Sequence, residues 1–388
     1  MEPIYLDHAA TTPMSNEVIE AMLPVYKETF GNPSSVHSFG RKARQHLDAA
    51  RRVMAKSIHA NEKEIIYTSG GTEADNLALI GTALANRDKG NHIITSAQEH
   101  HAVLHTAEYL EKQGFDVTYL PVNQNGKVDI KDLQAALTDA TILVSIMYVN
   151  NETGIIQPIK EIGELLKDHQ AYFHTDAVQA FGLIDIDVKV SHIDLLTVSS
   201  HKINGPKGIG FLYAEEHVKM NPLQFGGEQE RKRRAGTENI VSVVGFQKAV
   251  ELAIEHKAER EADYQQYKQL FLDELRNHSV EFQVNGESSE QIASIVNISF
   301  PGANVEQMLT NFDLDGIAAS SGSACTAGSV EPSHVLTAMF GENNPCTTNS
   351  IRFSFGIFNT TENVKEAAER VAKIIKRLIK KESENNEG

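Results

Sequence analysis

From residue 64 onward, short apolar runs alternate with stretches in which apolar residues recur every three or four positions. The runs at 64–68, 92–95, 116–120, 142–148, 172–175, 195–198 and 210–213 predict strands. Several are nearly continuous in apolar residues, as strands covered on both faces must be. Between them, spacings such as Ile159, Ile162, Leu165 and Leu166 predict amphipathic helices. This alternation predicts an α/β domain with a mostly parallel sheet. Past about Asn239 the pattern changes. One long helix is expected over 240–276, followed by shorter strands at 295–300 and 351–355. A closing helix carries Val364, Ala368, Val371, Ile375 and Leu378 as one apolar stripe. Lys and Arg crowd its last turns, where the helix dipole favours cations.

Length and charge narrow the picture. A chain of 388 residues exceeds one ordinary core and predicts two domains. Its 41% hydrophobic and 23% charged content are those of a globular protein in water, and no apolar run is long enough for a membrane span. Met1 to Tyr5 shows neither the basic start nor the apolar core of a signal peptide, so a cytoplasmic location is expected. The net charge of −16 argues against direct nucleic-acid binding, which takes a basic surface. An acidic patch that docks a basic protein remains compatible with it. Two cysteines make no disulfide framework, and a reducing compartment argues against a Cys325–Cys346 bridge. No Cys/His spacing for a metal is present, so no metal is expected.

Ligands of open α/β sheets bind beyond the carboxyl ends of the strands. Lys202 follows one such end, in Ser199-Ser200-His201-Lys202, ahead of Gly205-Pro206. Burial lowers an ammonium's pKa, and a neutral amine condenses with an aldehyde, which is how pyridoxal phosphate is tethered. Gly71 and Thr72, after the first strand, open a helix pattern suited to cradling a phosphate. Ser199 and His201 can add phosphate contacts. Asp176 can keep a pyridine nitrogen protonated, and Asn151 and Gln179 are donors to a ring oxygen or a substrate carboxylate. His100 can stack on a ring and carry protons. Taken singly, Asp176 could be a helix cap, Asn151 a turn former and His100 a loop histidine; several at consecutive strand ends point to a site. Arg352, inside a strand pattern, needs a partner: a substrate carboxylate, or an internal ion pair. Cys325 lies among small residues, Ser320 to Ser329, which suits an accessible and reactive thiol on a mobile loop. Cys346, behind Pro345, reads as structural.

These motifs, together with Tyr5-Leu6-Asp7-His8-Ala9-Ala10, Gly31-Asn32-Pro33 and Gly236-Thr237-Glu238-Asn239, cover nearly the whole chain. The chain resembles the cysteine desulfurases of the NifS/IscS type, in the class V aminotransferase group of fold-type I pyridoxal phosphate enzymes. The resemblance implies a large domain over 15–255 with a mostly parallel seven-stranded sheet. It also implies a smaller α+β domain made of 1–14 and 256–388. It assigns the cofactor tether to Lys202, the ring nitrogen to Asp176 and ring stacking and proton transfer to His100. Gly71, Thr72, Ser199 and His201 fall at the phosphate, Asn151 and Gln179 near the ring oxygen, and Asn151 and Arg352 at the substrate. Thr237 would reach the phosphate of the other subunit in a homodimer. Cys325 would take the sulfur of L-cysteine as a persulfide, leaving L-alanine, and pass it to an acceptor protein. The loop around Cys325 resembles the group with the long loop. The closing residues, Glu382 to Gly388, differ from a scaffold-docking tail, so an iron–sulfur scaffold and a tRNA-thiolating enzyme are both expected candidates. A selenocysteine lyase or an aminotransferase on the same scaffold is the alternative.

Overall fold

The computed structural model describes residues 2–322, 325–326, 329–330 and 332–386, without the side chains of 325–326, 329–330 and 381–386. Among these residues, seven strands form one sheet: β1 (Ile65–Thr68), β2 (His92–Ser96), β3 (Asp116–Leu120), β4 (Thr141–Ser145), β5 (Tyr172–Asp176), β6 (Leu195–Ser199) and β7 (Gly210–Ala214). Their spatial order is β1-β7-β6-β5-β4-β2-β3. Only β7 runs against its neighbours, so the sheet is mostly parallel, as predicted. Side chains alternate across it. In β7, Phe211 and Tyr213 enter one core with Phe173 and Phe246, while Leu212 and Ala214 enter a second with Ile93 and Leu110. Burial on both faces explains the near-continuous apolar runs. The exception is β3, one of the two edge strands, which starts at exposed Asp116.

A further apolar cluster lies under the antiparallel strands Ile295–Ser299 and Ser350–Ser354. The helix expected over 240–276 is in fact two, Ile240–Glu255 and Lys257–Asn277, broken at His256. The break has a packing cause. Val243, Phe246 and Val250 serve the main core, whereas Tyr264, Phe271 and Leu275 serve the other cluster, and one straight helix could not face both. The N-terminal segment also touches both. Ile4 and Leu6 join the cluster under Ile295–Ser299, Ile4–Tyr5 pairs in parallel with Ile317–Ala318, and Thr12 then donates its N–H to the His201 carbonyl at 3.0 Å. Residues 7–10 are thereby carried across the carboxyl ends of the main sheet. Among the described residues no helix is long and apolar enough to cross a membrane.

Candidate active site

The strands that run parallel deliver their carboxyl ends to one side, where they surround a cavity of about 420 Å³. Asp176 and Ser199 are the last residues of β5 and β6, and a tight turn over Ser200–Lys202 follows β6. Gly71 and Thr72 open the helix after β1, and Asn151 sits in the turn beyond β4. His100, Gln179, His201 and Arg352 complete the wall together with Lys202. Ten of the sequence-predicted residues therefore meet in one cavity. Thr237 does not; it is exposed, on a loop outside that wall. The Cys325 backbone pairs, in Cys325–Thr326, with Ser329–Val330, and its side chain lies outside the described residues. Cys346 is buried as a free thiol.

The charges in the cavity are held far from their aqueous behaviour. Burial, then the nearby Arg352 guanidinium, lowers the Lys202 ammonium to about 8, against the pull of Asp176 and Asp7. Its Nζ donates to the Ala10 carbonyl at 2.9 Å and to that of Ala9. Burial raises Asp176 to about 6, against the Val178 N–H that donates to its Oδ1 at 2.9 Å. Asp75, buried behind it, is raised well above the carboxylate range by burial and by Asp176 itself. One proton on Asp75 thus leaves Asp176 free to ionise. Burial lowers His100 and His201 to about 4, so both imidazoles are neutral at pH 7. His100 caps the helix His101–Lys112 through Nδ1, which accepts the Ala102 N–H at 3.1 Å. The cap and the site thus share one residue. Gln179 donates from Nε2 to the Ala9 carbonyl at 2.9 Å, which ties it to the N-terminal segment.

Arg352 is not bare. Its Nη2 lies 2.8 Å from Asp7 Oδ1, and its Nη1 donates to the Asn151 carbonyl at 3.0 Å. The internal ion pair weighed as the alternative is present, while Nε has no hydrogen-bond partner among the described residues.

Residues 4–366 match the family model described as aminotransferase class-V. A relative in Bacillus subtilis (strain 168), named putative cysteine desulfurase IscS 1, is 62% identical over 378 residues, which cover 97% of this chain and 100% of its own. The chain belongs to the class-V aminotransferases, in their cysteine desulfurase branch. A solved NifS-like protein superposes on this desulfurase-family chain with a TM-score of 0.90 at 32% identity, covering 97% of it and 100% of that structure. The structure of SspA in complex with cysteine follows at a TM-score of 0.80 and 35% identity, covering 92% and 99%.

Several residues of this class-V site went without a role in the sequence reading. Asp7 carries no local signal, because its partner stands at position 352 and no local pattern links them. Glu99 is fully buried, accepting the Ser96 hydroxyl at 2.7 Å and the Met147 N–H at 2.8 Å. Glu152 is equally buried, and its Oε2 accepts the Ser333 hydroxyl at 2.5 Å. Both stand among polar neighbours, Gln98 and His100 or Asn151 and Thr153, so the local sequence carries no sign of their burial.

Proposed function

We propose that this chain is a pyridoxal-phosphate-dependent cysteine desulfurase that moves the sulfur of L-cysteine onto Cys325. The observation that carries the reading is one cavity in which a depressed lysine amine faces a buried Asp and an arginine. The residues present fit the cofactor. Ser199 Oγ is buried with no hydrogen-bond partner among the described residues, beside the turn at Gly70 and Gly71. A Cβ on Gly71 would lie 2.9 Å from Val178 Cγ2 and fill that cradle. A phosphate there would take the Gly71 and Thr72 region, Ser199 and His201, while Lys202 would tether the aldehyde carbon. Asp176, ionised above about 6, would face the ring nitrogen. Bound in this way, the pyridoxal ring supplies an electron sink for the substrate's carbon skeleton.

The protein's own groups do the rest. Arg352 and Asn151 orient the substrate carboxylate, with Asp7 holding the guanidinium in place. Lys202, partly neutral near pH 8, takes the Cα proton at Nζ. His100 stands as the proton carrier at the substrate thiol, its neutral ring holding its own proton on Nε2 because Nδ1 accepts the Ala102 N–H. The Cys325 thiolate then attacks the substrate sulfur. The S–S bond forms, the C–S bond breaks, and carbon keeps the pair and is protonated. L-cysteine and one enzyme thiol become L-alanine and one enzyme persulfide, with no outside oxidant. The cysteine-bound SspA relative supports L-cysteine as the substrate. We further propose a homodimer, in which Thr237 reaches the partner's phosphate, and a protein acceptor, either an iron–sulfur scaffold or a tRNA-thiolating enzyme. A reducing cytoplasm suits the free thiol this chemistry needs.

Cys325→Ser tests the central role. The variant is expected to keep the cofactor's visible absorption and to lose persulfide and acceptor labelling. Desulfuration of cysteine at the parent's rate in that variant would refute the role. Pyridoxamine accumulating in place of alanine would indicate the aminotransferase instead.

A further inference from the structure

Gly322 and Ser333 flank the segment that contains Cys325; both lie against one carboxyl group, and Ser333 is hydrogen-bonded to it. Glu152 lies in the turn after β4 and is fully buried. Its Oε2 accepts the Ser333 hydroxyl at 2.5 Å. A Cβ built on Gly322 would come within 1.6 Å of that same oxygen, so the Gly322 backbone packs directly on the carboxyl. The backbone of Glu152 is fixed to the body of the protein. The Glu152 N–H donates to Asn150 Oδ1 at 2.9 Å, and Asn150 Nδ2 donates to the Gln98 carbonyl at 3.1 Å. Each flank is also tied beyond Glu152. Before Gly322, the Ser320 hydroxyl donates to Asp7 Oδ2 at 2.8 Å, and the Arg352 N–H donates to the Ser320 carbonyl at 2.7 Å. After the segment, Ser333 Oγ accepts the Leu336 N–H at 3.1 Å and caps the helix His334–Phe340. Glu152 Oε1, by contrast, has no hydrogen-bond partner among the described residues. A buried carboxyl half-satisfied in this way is costly and calls for a reason. Burial also pushes its pKa up, against the Ser333 hydroxyl, Arg352 and His101.

We propose that Glu152 is a positioning residue for sulfur transfer, holding the Ser333 end of the Cys325 segment at the cavity wall through the hydrogen bond from its hydroxyl. The role rests on Cys325 being the sulfur carrier. An end of the segment fixed beside the cavity raises the effective concentration of the Cys325 thiol at the substrate sulfur. The effect falls on the transfer step. Cofactor and cysteine are gripped by other residues, so their binding is spared.

The test is single-turnover persulfide formation on Cys325, followed by mass spectrometry of the holoenzyme mixed with L-cysteine. Glu152→Ala and Ser333→Ala should slow it about tenfold to a hundredfold. The visible absorption of the cofactor and the half-saturating cysteine concentration should stay within about twofold of the parent, because grip and positioning are separate. Glu152→Gln keeps an acceptor oxygen and the side-chain volume, and should recover the rate to within about threefold of the parent. Should Glu152→Ala fail to fold, Ser333→Ala, which removes a single oxygen, carries the test. Parent-like rates in the alanine variants overturn the role. So does a glutamine variant as slow as the alanine one, or a loss confined to cysteine affinity. A parent that forms no persulfide on Cys325 overturns the function beneath it instead.

Discussion

Buried carboxyls line the cavity and lie behind it, and Glu99, fully buried behind its wall, shows what that means for stability. Burial raises it to about 8, with Asp176 adding to the shift and the Ser96 and Met147 donors opposing it. A folded-state pKa above the unfolded one means that folding takes up a proton between the two values. Stability contributed by the neutral acid is therefore full at low pH and is lost as pH rises from about 4.3 toward 8. Glu99→Gln keeps the neutral shape and the oxygen that Ser96 and Met147 bond. In denaturant titrations the variant should exceed the parent by about 2–4 kcal/mol at pH 8.5, a gap that closes toward pH 5. A gap that does not change with pH would show that Glu99 is ionised throughout. Residues such as Lys202, Asp176 and Ser199 were legible in the sequence because a strand end followed by a small polar turn is a local pattern. Asp7, Asp75 and Glu152 were not, because their partners at 352, 176 and 333 come together only through the sheet and the crossing N-terminal segment.

At the scale of elements, the turn from β1 into its helix is where backbone shape and ligand chemistry meet. Gly70 holds φ at +153°, and Gly71 starts the helix in a space closed by Val178. Glycine is needed at 71 for room: a methyl group would press on Val178 Cγ2 at 2.9 Å. Gly71→Ala should weaken pyridoxal phosphate binding about tenfold, read by titrating the visible band, because the cradle is narrowed. Adding Val178→Ala should restore part of the loss. Undiminished affinity in Gly71→Ala would place the phosphate elsewhere. The Gly-Gly pair was readable as a turn, and the structure adds the reason for its second glycine. The alternation of strands and helices was equally readable, because burial on both faces leaves a period-two or continuous apolar trace. The break at His256 was not, since both helices carry apolar residues at helical spacing and only the existence of two cores separates them.

At the scale of the whole molecule, the helices Asn16–Glu28 and Ser38–Ser57 and the loop between them build an exposed apolar face. Leu23, Tyr26, Phe30, Val36 and Phe39 are 48%, 71%, 77%, 89% and 52% exposed, and the Phe30 and Phe39 rings lie 5.0 Å apart. Aromatic residues gathered on an exposed face mark an interaction surface. The loop before Thr237 has the opposite character. Glu230, Arg231 and Lys232 all hold positive φ, and Glu230 is locked by Arg51, whose Nη2 lies 2.6 Å from its Oε1. Left-handed backbone at non-glycine residues persists only where surroundings over-determine it, and it clusters at functional sites. An apolar face and a stiffened loop, both outside the chain's own cavity, fit a second copy that buries the one and receives the other. The protein should therefore sediment as a dimer, and Phe30→Glu with Phe39→Glu should shift it to monomer. Because Thr237 would be withdrawn from its partner's phosphate, the monomer should also bind pyridoxal phosphate about tenfold more weakly. Thr237→Ala should weaken the cofactor while leaving the dimer intact, which separates the contact from the assembly. A parent that sediments as a monomer and still retains its full visible band would eliminate both the dimer and the shared site.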